Sequence, residues 1–194
     1  MRFRFFKEWN KEMPSVERKA EIKQVVDELV SQNSELQFPG FDIVKYLKAQ
    51  DFSVASNVLD SDTTGMLFVD DEAFVPDTET HRLIVINSLL QEQANFIQRR
   101  RFIVAHEYAH FVLHKKESRQ YAHRDTSKRE NAEEKEADYF ARCLLMPEDW
   151  VRAVLNLLQP DGTTWENKVS LVSRVFNVTK KKAEQRLKED LCCE

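Results

Sequence analysis

Two histidines and a glutamate sit together in His106-Glu107-Tyr108-Ala109-His110. On an α-helix, residues four apart lie about 40° apart around the axis and about 6 Å along it, so both imidazoles can reach one tetrahedral Zn²⁺. Glu107 lies about 100° round from His106, too far to share the ion but well placed beside a water on it. The chemistry implied is hydrolytic: the metal acidifies the water, and the carboxylate takes its proton as the water attacks a carbonyl. A pattern this short also arises by chance. Here Phe102, Ile103, Ala109 and Leu113 form an apolar stripe beside the histidines, which turns that edge inward. Histidines held against a core are costly without a partner, and a metal supplies one.

A third protein ligand is needed. The layout with a third histidine, HExxHxxGxxH, would place Gly at 113 and His at 116, where the chain has Leu113 and Lys116. The remaining layout draws a carboxylate from a second helix, and residues 130–146 supply one. Its inward face carries Ala137, Ala141, Leu144 and Leu145, the alanines allowing close helix–helix approach. Glu134 and Asp138 stand at the edge of that face, and Glu136 points about 160° away. Glu134 is therefore the expected third ligand, with Glu133 and Glu130 as alternatives. Asp138 is the expected acceptor that orients a ligand imidazole.

RFIVAHEYAHFVLH followed by EEKEADYFARCLLMP resembles the ImmA/IrrE family of metallopeptidases, whose members read HELGHxxLH and then ExxANxFAxxLLMP. Glu134, Ala137, Phe140, Ala141, Leu144, Leu145, Met146 and Pro147 match the second motif, with Asp138 in the Asn/Asp slot. Tyr108 and Ala109 depart from the usual Leu and Gly. The resemblance implies a zincin-like α+β fold, with a small antiparallel sheet packed on the HExxH helix and the second ligand-bearing helix. It implies Zn²⁺ held by His106, His110 and Glu134, with Glu107 as the catalytic base. His114 matches the family's third histidine and is expected to make supporting or helix-end hydrogen bonds. The implied activity is endopeptidase cleavage of a protein partner, such as a helix-turn-helix repressor controlling stress or phage genes. The ligand types do not by themselves separate Zn²⁺ from Mn²⁺ or Fe²⁺.

The elements that must carry these residues are legible in the periodicity. Helices are expected at residues 14–31 and 42–50, and short strands at 52–58, 66–69 and 83–86. Residues 60–65 read as a turn, and His81 as a surface histidine. The polar run of residues 115–129 reads as a solvated loop, in which Tyr121 and His123 are candidate oxyanion donors, as is Arg142 on the second helix. Further helices are expected at 148–158, 166–176 and 179–191. This divides the chain into an N-terminal helical segment (1–40), a metallopeptidase core (41–158) and a C-terminal hairpin like a helix-turn-helix (159–194).

A length of 194 residues and 42% hydrophobic content suit one domain with a sizeable core. A net charge of −4 argues against a dedicated nucleic-acid binder, although Lys180, Lys181, Lys182, Arg186 and Lys188 leave DNA-phosphate contact open. The N-terminus lacks the apolar run of a signal peptide, and no stretch has the length of a membrane span. Three cysteines, two of them adjacent at Cys192 and Cys193, do not make a secreted disulfide framework. A cytoplasmic protein is expected. The competing reading is a regulatory protein with a structural metal that binds DNA or a protein partner.

Overall fold

The computed structural model describes residues 13–69, 81–114, 120–124, 132–158 and 164–191, with side chains for all of these except residues 120–124, 190 and 191. Helix α1 (Val16–Gln32) starts at Ser15, whose hydroxyl accepts from the Arg18 backbone N–H at 3.2 Å. Helix α2 (Ile43–Lys48) is capped by Asp42, which accepts from the N–H groups of Val44 and Lys45. Strands β1 (Phe52–Asn57), β2 (Thr63–Val69) and β3 (Arg82–Asn87) follow. Next come helix α3 (Phe96–His114), strand β4 (Gln120–Arg124), and helices α4 (Ala132–Leu145), α5 (Glu148–Asn156), α6 (Trp165–Val175) and α7 (Lys180–Leu191). The class is α+β, as expected.

The four strands form one sheet in the order β1-β3-β2-β4. β2 pairs antiparallel with both β3 and β4, but β1 runs parallel to β3, with Val54 opposite Ile84. The sheet is therefore mixed rather than purely antiparallel. β3 is inserted between two strands that run in opposite directions, so it must be parallel to one of them. Its continuous apolar run suits a central strand, and Ile84, Val85, Ile86 and Asn87 are all buried.

Two segments read from sequence as turn and loop are partly strand. Thr63, Thr64 and Gly65 already belong to β2 and are buried. Residues 120–124, inside the polar run, form β4. Charged and polar residues are what an edge strand carries, and they hide its period from a hydrophobicity argument. Residues 70–80, between β2 and β3, lie outside the described residues.

Helix α3 is the centre of the molecule. The sequence suggests one buried stripe, yet every residue from Arg101 to His110 is buried. The sheet covers one side through Leu67 and Ile84, and α4 covers another through Ala137, Phe140, Ala141 and Leu144, all with no exposed surface. The same apolar core reaches from Ile22 in α1 to Ala183 and Leu187 in α7. The α6–α7 turn places Asn177 at φ 50°, a conformation asparagine tolerates, and the Thr179 hydroxyl accepts from the Lys182 N–H at 3.4 Å.

Buried Asn87 fixes the entry to β2. Its Oδ1 accepts from the N–H of Leu59 (3.3 Å) and Leu89 (3.1 Å), while Nδ2 donates to the carbonyls of Asp60 (3.0 Å) and Thr63 (2.7 Å). Removing that amide strands several backbone groups, each costing ~1–3 kcal/mol when buried and unmet. Asn87→Ala is expected to destabilise the protein by at least ~2 kcal/mol in urea unfolding. Asn87→Asp, which keeps the acceptor and loses both donors, should also destabilise.

Candidate active site

Helix α3 delivers His106 and His110 from successive turns, and α4 delivers Glu134 against them. The two Nε2 atoms are 3.2 Å apart. Glu134 Oε2 lies 3.2 Å from His106 Nε2, and Glu134 Oε1 lies 3.4 Å from His110 Nε2. Both histidines are 1% exposed, whereas Glu134 keeps 27% of its side-chain surface, so the cluster opens to solvent on the glutamate side. These three residues form the group that could hold a metal ion among the described residues.

The spacing fits a small tetrahedral cation. Ligand atoms at the corners of a tetrahedron with arms of ~2.05 Å are about 3.3 Å apart. His106 Nε2 lies at about that spacing from both His110 Nε2 and Glu134 Oε2, 3.2 Å each, while the 3.4 Å approach to His110 Nε2 is made by the other carboxylate oxygen, Oε1. The donor set of two imidazoles and one carboxylate suits a divalent transition-metal ion.

His106 is oriented from behind. Its Nδ1 donates to Asp138 Oδ1 at 3.1 Å, which turns Nε2 toward His110 and Glu134. The second oxygen, Asp138 Oδ2, accepts from Arg142 Nη1 at 3.2 Å and from Lys182 Nζ at 2.8 Å. Burial opposes ionisation of Asp138, but Lys182, the bond to His106 and Arg142 hold its carboxyl well below the usual range. Burial alone would lower the His106 pKa; the Asp138 and Glu134 carboxylates overcome it and raise it from 6.5 to about 9. Burial lowers the pKa of His110, opposed by Glu134.

Glu107 has no exposed surface, and neither carboxylate oxygen has a hydrogen-bond partner among the described residues. Burial raises its pKa from 4.5 to about 8, against the attraction of His106. An unpartnered buried carboxyl beside two imidazoles is costly as a structural element and useful as a proton acceptor. Sequence reasoning found this residue but not the strand that makes room for it. A Cβ placed on Gly65 of β2 would lie 2.6 Å from Ile103 Cγ2 and 2.9 Å from Glu107 Oε1. A glycine inside a strand signals such a close approach, and that was the available clue.

The other candidates are placed as follows. Glu136 points away from the histidine pair, bonding Arg18 at 2.8 Å and lying 4.0 Å from His114 Nδ1. His114 Nε2 is 3.4 Å from the Glu133 carbonyl, joining the ends of α3 and α4. Arg142 is not presented to a substrate: it is 2% exposed, with its guanidinium on Asp138 and on Glu189 at 2.7 Å. His81 is exposed. Glu130 and the side chains of Tyr121 and His123 lie outside the described residues. Lys182, expected on the surface, instead reaches Asp138.

Gly65→Ala is expected to displace Glu107 while sparing the cluster of His106, His110 and Glu134. Zn²⁺ affinity should stay near that of the wild type while any hydrolytic output falls at least tenfold, about the smallest effect of misplacing a general base. A loss of Zn²⁺ affinity equal to the loss of output would contradict this separation.

A family profile described as the IrrE N-terminal-like domain, peptidase M78, matches residues 52–188. No curated protein matches the chain as a relative. The matched span contains the whole sheet, the HExxH helix, the Glu134 helix and most of α7. With these motifs on a zincin-like α+β framework, the chain belongs to the ImmA/IrrE family of metallopeptidases.

Proposed function

We propose that the protein is a zinc-dependent endopeptidase in which His106, His110 and Glu134 hold the cation and Glu107 is the general base. The observation that carries this reading is the convergence of two Nε2 atoms and the Glu134 carboxylate, with closest approaches of 3.2 to 3.4 Å, beside the unpartnered Glu107. When bound, Zn²⁺ supplies a Lewis acid and lowers the pKa of water. Glu107 accepts the proton of the attacking water at its carboxylate and passes it to the leaving amine. Asp138 holds His106 by Nδ1 so that Nε2 faces the cation, and His114 ties the end of α3 to the start of α4. Gly65 keeps the space in which the Glu107 carboxylate moves.

The proposed substrate is a protein partner, on the family resemblance a helix-turn-helix repressor whose cleavage releases stress or phage genes, acting in the cytoplasm. No helix among the described residues is long and apolar enough to cross a membrane. The three-part division at residues 40 and 158 is offered as three packing segments around one core, since buried residues from each share it. Direct DNA binding by α7 draws less support, because Lys182 and Arg186 are engaged inside, on Asp138 and on the Met146 carbonyl.

The deciding experiment compares new protein N-termini in cells expressing the wild type or Glu107→Ala. A neo-terminus produced only by the wild type, in one or a few proteins, is the expected outcome. Identical sets under resting and stressed conditions would favour a non-catalytic regulatory protein whose metal is structural.

Cation loading should also release protons. At pH 7 the metal-free site holds a proton on His106, whose pKa is about 9, and mostly one on Glu107, whose pKa is about 8. Ligation needs the first removed, and a nearby cation favours loss of the second. Calorimetry of Zn²⁺ binding at pH 7 in buffers of different ionisation enthalpy should show between one and two protons released. Affinity should rise from pH 7 to pH 9. A pH-independent affinity in that window would contradict the proposed ligand set.

A further inference from the structure

Helix α7 begins in a way its own electrostatics oppose. Lys180, Lys181 and Lys182 fill its first turn, which contains no acidic residue, although the helix N-terminus carries partial positive charge. Lys180 and Lys181 are exposed, but Lys182 keeps only 20% of its side-chain surface. Its Nζ donates to Asp138 Oδ2 at 2.8 Å and sits 3.9 Å from the centre of the Phe102 ring. Phe102 lies on α3, four residues before His106, and Asp138 lies on α4, four residues after Glu134. One ammonium thus touches both helices that supply the histidine–glutamate cluster. Thr179 fixes where it starts from by capping the first turn of α7 at the Lys182 N–H.

We infer that Lys182 is a positioning residue for His106, acting through Asp138. This rests on the reading of His106 as a metal ligand. Asp138 has two oxygens and can present only one to His106 Nδ1. Arg142 and Lys182 occupy the other, and Arg142 is shared with Glu189 on α7. Lys182 is therefore the cation committed to Asp138, and it fixes the plane of the carboxylate as well as its charge. Paired with that carboxylate at contact distance, the ammonium presents little net field to a cation beyond His106. Its effect on metal affinity is thus through alignment rather than repulsion. The C-terminal helix is in this way part of the site's support, and Lys182 is unavailable for the nucleic-acid contact its place in a lysine run suggests.

The test uses the full chain with Zn²⁺ alone as probe, measured by chelator competition, and nuclear magnetic resonance of the His106 ring in metal-free protein. Lys182→Met keeps the stem and removes the charge. It should weaken Zn²⁺ binding by about 10-fold or more, the range typical when a group supporting a ligand is lost. It should also remove the exchange-protected downfield signal of the His106 Nδ1 proton. Lys182→Arg should restore both. Unchanged or tighter Zn²⁺ binding together with an unchanged His106 signal in Lys182→Met would overturn the proposal. If the wild type itself binds no Zn²⁺, the metal-site reading fails, and the His106 signal still decides whether Lys182 orients that ring. If Lys182→Met does not fold, the wild type decides: its Lys182 ammonium protons should exchange far more slowly than those of Lys180 and Lys181. Equal exchange would overturn the assignment.

Discussion

A helix buried on every side from Arg101 to His110, where it carries His106, Glu107 and His110, sets the terms for the rest of this molecule. Polar side chains moved from water into a core cost several kcal/mol unless they are met by partners. The neighbours of α3 are arranged around that cost. Ala137 and Ala141 let α4 approach closely enough for Glu134 and Asp138 to reach the two imidazoles. Gly65 lets β2 lie against Glu107 without supplying it a partner. The histidines are thus held in place while the glutamate is left with unmet capacity, which is the asymmetry that the proposed role of Glu107 as a general base requires.

The charge network behind His106 is not accounted for by stability. Asp138, Arg142, Lys182, Arg186 and Glu189 bring together side chains of α4 and α7. Buried ion pairs often stabilise no more than apolar residues of the same volume, because desolvation offsets the attraction. What the network provides is geometry. A carboxylate held by cations on one oxygen has a defined direction for the other, and that direction sets the His106 ring. The apolar core of the hairpin, through Val172, Phe176, Ala183 and Leu187, then decides where the cations sit.

How much of this could be read from the sequence depended on whether the signal was local. His106, Glu107 and His110 lie within five residues, and helical geometry alone puts them on adjacent faces. Glu134 and Asp138 were legible because their spacing follows the apolar period of α4. The starts of α1 and α2 were readable near Ser15 and Asp42, whose side chains cap them. Burial of α3 on all sides was not readable, since it depends on what covers the helix. β4 was hidden because an edge strand need not alternate. The parallel pairing of β1 with β3 followed from strand order, which no local pattern records. Lys182 was hidden within a lysine run that also reads as a solvated face, and since Lys180 and Lys181 oppose the helix dipole equally, only its contact with Asp138 sets it apart.

The departure at Tyr108 and Ala109 tests how far the site depends on exact packing of its helix. Tyr108 lies two residues from each histidine, about 200° round the helix, so its side chain leaves from the opposite side. There it meets the Tyr46 hydroxyl at 3.5 Å, the edge of Phe52 with ring centres 5.6 Å apart, and Phe140 at 6.2 Å. A large ring with a polar tip fits only where an aromatic pocket and a hydroxyl partner await it, and α2, β1 and α4 supply both. Ala109 has no exposed surface and adds one methyl where the family pattern has none. The tyrosine is absorbed on the face away from His106 and His110, and the alanine, beside that pair, adds only a methyl. The two imidazoles and Glu134 still approach one another to 3.2 to 3.4 Å, because the His106 ring is held by Asp138 and the charges behind it.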